Sequence, residues 1–375
     1  MAEIVVLKKC EEYDLEKVKK VLIEGLDLIG GVGAFVKKDE KVLLKVNSLM
    51  NTPVEKPACT HPVMLRAVIQ ILKPITKNIF VGDSPGVGTF EFCAKRNGLK
   101  EVIDSEGATL VNILKEEYEL INKNPLKYRS FKTDPLIGEM DKIINLPRFK
   151  THGLMYLTLC IKNMFGLIPG TSKPGYHLRA GTDKRLFSQM FIDIFNSRLP
   201  DLNILDGIIG MEGNGPGGGD PVNLKVILMG ANGFAVDLVA PKIVGLNPYD
   251  VYINEVYRDD VLKGKELEVK VMGEKIEDVF HKGFKSVPRE SFTKPGFFFK
   301  LIKGLITPKQ IYIKQKCTGC LRCVQHCPVK CLEHSKKKGI KCDYNACIRC
   351  FICQEICPED AIRLRKPLLS MFVRR

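Results

Sequence analysis

Cys317, Cys320, Cys323 and Cys327, followed by Pro328, are spaced C-x2-C-x2-C-x3-C-P, and Cys347, Cys350, Cys353 and Cys357, followed by Pro358, repeat the run. No other feature restricts the fold as much. Thiolates two residues apart on a tight loop reach three corners of one 4Fe-4S cubane, while the fourth cysteine, after a longer step and a proline, points to the other cluster. The spacing assigns Cys317, Cys320, Cys323 and Cys357 to one cluster, and Cys347, Cys350, Cys353 and Cys327 to the second. Paired C-x2-C units also build structural zinc sites, but two complete repeats with their trailing prolines favour iron and sulfur. Cys331 stands where the second repeat has Ala361 and reads as a small buried residue. Cys342 reads as a strand residue facing the core, with a switchable extra ligand as the weaker alternative. His326 and His334 read as groups beside the clusters rather than ligands.

With 375 residues, 45% of them hydrophobic, the chain is long enough for two or three domains. Cys10, Cys59, Cys93 and Cys160 are scattered singly and suggest no disulfide framework, so a reducing cytoplasm is the expected compartment. The first residues carry charges and no apolar signal-peptide core, and no secretion signal is read there. The apolar stretch LMYLTLCIKNMFGLIPG is broken by Lys162 before the ~18 to 20 residues that a membrane span needs, so no transmembrane segment is expected.

The net charge is +15, and from residue 301 onward 16 Lys and Arg face 5 Asp and Glu, so +11 of it lies on the tail. Such a surface favours an acidic electron carrier, a ferredoxin or a flavodoxin, as partner. Nucleic acid is disfavoured, because the lysines are not interleaved with stacking aromatics. A Pro- and Gly-punctuated segment with Phe297, Phe298 and Phe299 divides the chain. The expected organisation is a large domain over 1–290, a linker or docking segment over 291–310 and a two-cluster domain over 311–375. The aromatic segment reads as a dock between the two parts in preference to a membrane-surface helix. The closing KPLLSMFVRR reads as a basic surface anchor with the same reserve.

Over the large part, short apolar runs (KVLLKVN, NIFVGDS, KIINLP, LNILDGI, LKVILMG) interleave with helical periodicity (HPVMLRAVIQILK, FEFCAKRNG, AVDLVAPKIVGL). That alternation predicts a layered α/β domain with a mostly parallel or mixed sheet, beside a small α+β cluster domain. Ligands in such folds collect at the carboxyl ends of strands. There the sequence offers GDSPGVGTF with Asp83 and Ser84, then RFKTHG with Lys150 and His152. Lys162 and Asn163 follow in CIKNMFG, and Asp206, Glu212 and Asn214 lie in DGIIGMEGNGPGGGDP. The glycine loop after Asp83 is neither a P-loop nor a dinucleotide fingerprint. Read as loops, these stretches make a polar pocket for a small anionic or carbonyl-bearing substrate. His152 is the expected proton donor, and Lys150 and Lys162 are the expected stabilisers of developing negative charge. The stretch from Gly213 to Gly219 is expected to let backbone approach the ligand.

The stretches KVNSL, THPVMLRAVIQIL, VGDSPG, INLPRFKTHGL, IKNMFGLIPG and DGIIGMEGNGPGGGDP resemble the prokaryotic domain of unknown function family 362 (DUF362), often fused to a ferredoxin unit. The cysteine repeats resemble two-cluster bacterial ferredoxins over residues 311 to 366. The first resemblance implies an α/β domain joined to iron-sulfur clusters and specifies no substrate; the second carries the cluster roles onto the eight cysteines above. The combined reading is an iron-sulfur protein that relays electrons through two 4Fe-4S clusters to the α/β domain, as an oxidoreductase reducing a small substrate. Its alternatives are an electron-transfer or binding module without catalysis and a non-redox enzyme with structural clusters. Whether a flavin is bound is left open.

Overall fold

The computed structural model describes residues 2–181, 183–287, 289, 309–335 and 339–365. The aromatic segment read as a docking linker (apart from 309–310), the lysine run 336–338 and the closing basic stretch therefore lie outside the described residues.

Sixteen strands are described: β1 (Glu3–Lys9), β2 (Val42–Val46), β3 (Ile79–Asp83), β4 (Thr109–Asn112), β5 (Tyr118–Ile121), β6 (Ser130–Thr133), β7 (Lys142–Leu146), β8 (Arg148–His152), β9 (Tyr156–Thr158), β10 (Leu202–Glu212), β11 (Asp220–Gly230), β12 (Val269–Gly273), β13 (Lys309–Tyr312), β14 (Leu332–Ser335), β15 (Gly339–Cys342) and β16 (Ile362–Arg365). The main sheet runs β12-β1-β11-β10-β7-β2-β3-β4, with β8 joined to β10 and β9 to β8. β10, β7, β2, β3 and β4 are parallel to one another, while β11 pairs antiparallel with both β10 and β1. The fold is thus α/β on a mixed sheet, as the alternating pattern predicts.

Strands buried on both faces need apolar residues at every position, and β2 (VLLKV) and β7 (KIINL) approach that composition. Side chains alternate between the faces. Leu43, Ile143, Leu205 and Leu228 join a core with the helices Lys184–Ser197 and Gly233–Ile243, whereas Val42, Leu44, Ile144 and Ile227 join one with Leu15–Asp27 and Pro62–Leu72. Two helical layers therefore cover one sheet.

Two stretches read as loops are strands. RFKTHG forms β8, and DGIIGMEG continues β10 to Glu212, so only 213–219 turn between β10 and β11. The Asp-Gly pair that looks like a turn signal lies instead just before a register shift between Gly207 and Ile209. β8 adds to β10 through Asp206↔Arg148 and Met211↔Lys150, and this fixes the side-chain directions of Lys150 and His152.

The tail is a small α+β unit made of two similar halves. Each half has a short helix, Arg322–Gln325 or Ile352–Glu355, entered through a left-handed residue, Leu321 (φ 59°) or Phe351 (φ 58°). That turn lets thiolates on either side of it converge. β13 pairs with β16, and β14 with β15, antiparallel. Phe351 and Leu364 of this unit pack into the core of the large domain.

Candidate functional site: a lysine-rich cavity walled by the cluster unit

At the carboxyl ends of β2, β3 and β8 lies a cavity of about 780 Å³, counting its open mouth. Its large-domain wall carries Asn47, Ser48, Asp83, Ser84, Lys150, His152, Lys162, Asn163, Lys173 and His177; the opposite wall is His326, Ile352, Glu355 and Ile356 of the cluster unit. Six of the residues picked from the sequence thus come together: Asp83, Ser84, Lys150, His152, Lys162 and Asn163.

The floor is a buried ion pair. Lys45, a lone cation in a run of apolar strand residues, lies 2.8 Å from Asp83 Oδ1. Asp83 also accepts the backbone N–H of Ser48 at 2.5 Å and of Ser84 at 2.7 Å. With those donors in place its carboxylate is committed to structure, and it holds the strand ends in register.

Lys150 donates to Asn47 Oδ1 at 2.5 Å and to Ala58 O at 2.7 Å, and burial pushes its ammonium down to about 7. Burial likewise holds Lys173, which donates to Ser84 O, at about 7. Lys162 has no hydrogen-bond partner among the described residues; its ammonium lies 5.0 Å from the centroid of Phe191 and 5.9 Å from that of Phe165. Burial lowers its pKa as well.

His152 does not titrate near neutrality, contrary to the sequence-based expectation. Burial first, then the charges of Lys162, His177 and Lys150, push it well below the ordinary histidine value. Its Nδ1 accepts from the N–H groups of Leu154 (3.1 Å) and Met155 (3.2 Å), so the ring proton sits on Nε2. Nε2 lies 3.2 Å from Glu355 Oε1, outside hydrogen-bonding alignment. Burial pushes Glu355 up to about 7, against the pull of Lys162, Lys150 and Lys173. His177 is driven down to about 3 by burial and stays neutral.

Three residues picked from the sequence lie elsewhere. Asp206 is buried 3.5 Å from Arg148 and accepts from Tyr13 Oη at 2.8 Å, so it orients Arg148, which donates to the carbonyls of Cys59 and Ile209. Glu212 holds Lys285 through its backbone N–H and its ammonium. Asn214 donates to Asp360 Oδ1 (2.6 Å) and accepts from Gln354 Nε2 (3.1 Å), both on the cluster unit. The glycine turn serves this docking more than any ligand: a Cβ on Gly217 would lie 2.7 Å from Glu355 O. Sequence reasoning missed Lys45, Asn47, Ser48, Lys173, His177 and Glu355. Lys45 and Lys173 were findable as charges beside apolar runs; Glu355 was not, since it follows a cysteine run whose own chemistry accounts for the segment.

The tail holds two further cavities. One, of about 520 Å³, is lined by Cys317, Cys320, Cys323 and Cys357; the other, of about 280 Å³, by Cys347, Cys350, Cys353 and Cys327. The four thiols lining each cavity are the donor set that a 4Fe-4S group would take. Cys331, Cys342 and Cys347 have sulfur atoms within 4.8 Å of one another, and Cys331 Sγ lies 3.5 Å from Cys327 Sγ. Cys331 therefore borders the second cavity, and Cys342 lies close to its Cys347. His326 is part-buried at the lysine-rich cavity and His334 is exposed.

Among proteins of known sequence, a thylakoid-associated protein of Synechocystis (sll1697) is 32% identical over 248 residues, covering 66% of this chain and 76% of that one. NADH-quinone oxidoreductase subunit I of Pelobacter propionicus is 38% identical over 65 residues (14% of this chain, 35% of that one), and a ferredoxin of Methanothermococcus thermolithotrophicus is 34% identical over 53 (14% and 88%). The lactate racemase apoprotein of Thermoanaerobacterium thermosaccharolyticum superposes with a TM-score of 0.40 at 10% identity, covering 61% of this chain and 54% of that one, so the chain spans about half the length of that structure. A 4Fe-4S dicluster domain matches at residues 309–358, and a domain of unknown function, DUF362, at 42–242. Those matches and the length shared with the Synechocystis protein make the chain a member of the DUF362 family that carries a 4Fe-4S dicluster domain.

Proposed function

We propose that this chain is a cytoplasmic iron-sulfur oxidoreductase that takes electrons singly from an acidic carrier and delivers them to a small substrate in the lysine-rich cavity. The observation that carries this reading is the shared wall: the helix Ile352–Glu355 contributes Cys353 to the second cysteine cavity and Ile352 and Glu355 to the lysine-rich one. When bound, two 4Fe-4S clusters supply one-electron transfer. The chain's own residues do the rest. Cys320 is exposed and borders Lys314 and Arg322, which suits the docking of an acidic carrier, whereas Cys350 is buried in a cluster that includes Val87 of the large domain. Lys150 and Lys173, with ammonium groups poised near neutrality, hold or release protons as negative charge builds on a bound molecule. The unpaired thiols of Cys10, Cys59, Cys93 and Cys160 agree with a reducing compartment.

The test is anaerobic. Chemically reduced, cluster-loaded protein is mixed with a panel of small oxidants, and cluster absorbance is followed. One class of compound is expected to reoxidise the protein catalytically, and Lys150→Ala is expected to abolish that with the iron content unchanged. Reoxidation that no compound accelerates, or that Lys150→Ala leaves intact, would favour an electron-transfer module without catalysis.

A further inference from the structure

The lysine-rich cavity is rich in donors and poor in acceptors. Ser48 Oγ, His152 Nε2, His177 Nδ1 and one acceptor, Glu355 Oε1, are buried polar atoms without a hydrogen-bond partner, and all four residues line it. Ser48 is 2% exposed, His152 0% and His177 5%. Buried polar atoms are seldom left unpaired, so unpaired ones at a cavity wall mark where a ligand's atoms belong. His152 carries its proton on Nε2, as its Nδ1 contacts require, and Ser48 can donate through its hydroxyl.

Charge points the same way. Asp83 is matched by Lys45 at 2.8 Å and by two backbone N–H groups. That leaves the ammonium groups of Lys150, Lys162 and Lys173 facing one unmatched carboxylate, Glu355. Lys162 makes no hydrogen bond among the described residues; it lies beside the rings of Phe165 and Phe191 and feels the charge of Glu355. Burying like charges together without a counter-charge is costly, and the cost is removed when a ligand supplies the missing negative charges. Below neutrality, where Lys150 and Lys173 keep their protons, three ammonium groups face at most one carboxylate, an excess that a doubly charged anion matches.

We propose that the cavity binds a small organic dianion, bearing two carboxylates or a phosphate ester, with Lys162 and Lys173 as its anchors and Ser48 and His152 as neutral donors. The cavity opens to solvent, so a small molecule can enter it, and Phe165, Ile352 and Ile356 offer that molecule apolar sides. This substrate class rests on the oxidoreductase reading for its chemistry but not for its binding.

Isothermal titration calorimetry of the anaerobic, cluster-loaded full chain tests it, with succinate, inorganic phosphate and the monoanion acetate as probes. At least one of the dianions is expected to bind more tightly than acetate; tighter succinate points to two carboxylates and tighter phosphate to a phosphate ester. Lys162→Met and Lys173→Met are each expected to weaken that binding by about 30-fold or more, the usual effect of removing one partner of a buried charge pair. Lys162→Arg is expected to retain most of it. Glu355→Gln, which removes the opposing carboxylate, is expected to tighten binding, an effect that structural damage would not produce. Neither dianion exceeding acetate, or both methionine variants binding like the parent with iron content retained, would overturn the proposal. Dianions that bind as described yet reoxidise no reduced protein would count against the oxidoreductase reading alone; a neutral substrate that is turned over while dianions fail to bind would count against this proposal alone.

Discussion

Gly166 has no room for a side chain: a Cβ there would lie 1.9 Å from Asp83 Oδ1 and 2.4 Å from Lys45 Nζ. Both of those side chains are almost fully buried and have nowhere to swing. Gly166→Ala is therefore expected to part the ion pair and destabilise the protein by about 3–5 kcal/mol, the cost of breaking a buried pair. Thermal unfolding under anaerobic conditions checks this; an unchanged transition would mean that the pair is not structural. Titration at the same scale gives a pH dependence. Lys150 and Lys173 have pKa values depressed by burial to about 7, and a bound anion would raise them. Binding should then take up protons in the window above pH 7, so dianion affinity falls as the pH rises through it. The other groups facing these two are Lys45, Cys59, Arg148, Lys162, His152, His177, His326, Asp83 and Glu355. Calorimetry in buffers of differing ionisation heat measures the proton count; proton release on binding above neutrality would contradict the assignment.

At the scale of elements, the helix Ile352–Glu355 is the hinge of the account. Gln354 Nε2 donates to Asn214 O, Asn214 Oδ1 and Gly215 O at 3.0–3.1 Å and ties this helix to the turn between β10 and β11. Gln354→Ala removes these three hydrogen bonds, leaves Asn214 O and Oδ1 without this donor, and is expected to weaken docking by roughly 1–3 kcal/mol. Hydrogen exchange should report it as faster exchange in the helix with the β2–β3 pairing unaffected; equal protection in both proteins would remove the docking role. β2, β3, β7, β11 and the first half of β10 were legible because each is a short, almost wholly apolar run, and the cluster halves because their ligand spacing admits few folds. β8 and the outer half of β10 were not legible: Arg148, Lys150, His152 and Asp206 give them the polarity of loops. Their backbone is extended only because each pairs with the other, and their charges are buried only because Cys59, Asn47 and Tyr13, distant in sequence, supply partners. The wall formed by Glu355 depends on domain docking, which no local pattern encodes. Thus half of the cavity could be named from strand ends, and the half that links it to the cluster unit could not.

At the scale of the whole molecule, the arrangement is directional: exposed Cys320 on one side, buried Cys350 and Cys353 on the other, and then the lysines. The crossed spacing predicts that Cys327→Ser damages mainly the cluster expected on Cys347, Cys350 and Cys353, as paramagnetic resonance of the reduced variant would reveal; selective loss of the first-run cluster would refute it. Reduction by an acidic carrier should slow steeply with salt, since exposed charges are screened over about 10 Å at 0.1 M, whereas salt-independent rates would exclude charge steering. The central claim is that the second-run cluster, not the first, adjoins the cavity. It is tested most directly by redox titration of the loaded protein, monitored by paramagnetic resonance on the acid side of neutrality, for the parent chain and Lys162→Met. Removing a cation disfavours gain of an electron nearby, so the second-run potential should fall by tens of millivolts, where about 59 mV is a tenfold change for one electron, while the first-run potential stays put. Equal shifts in both clusters, or a shift confined to the first, would contradict it.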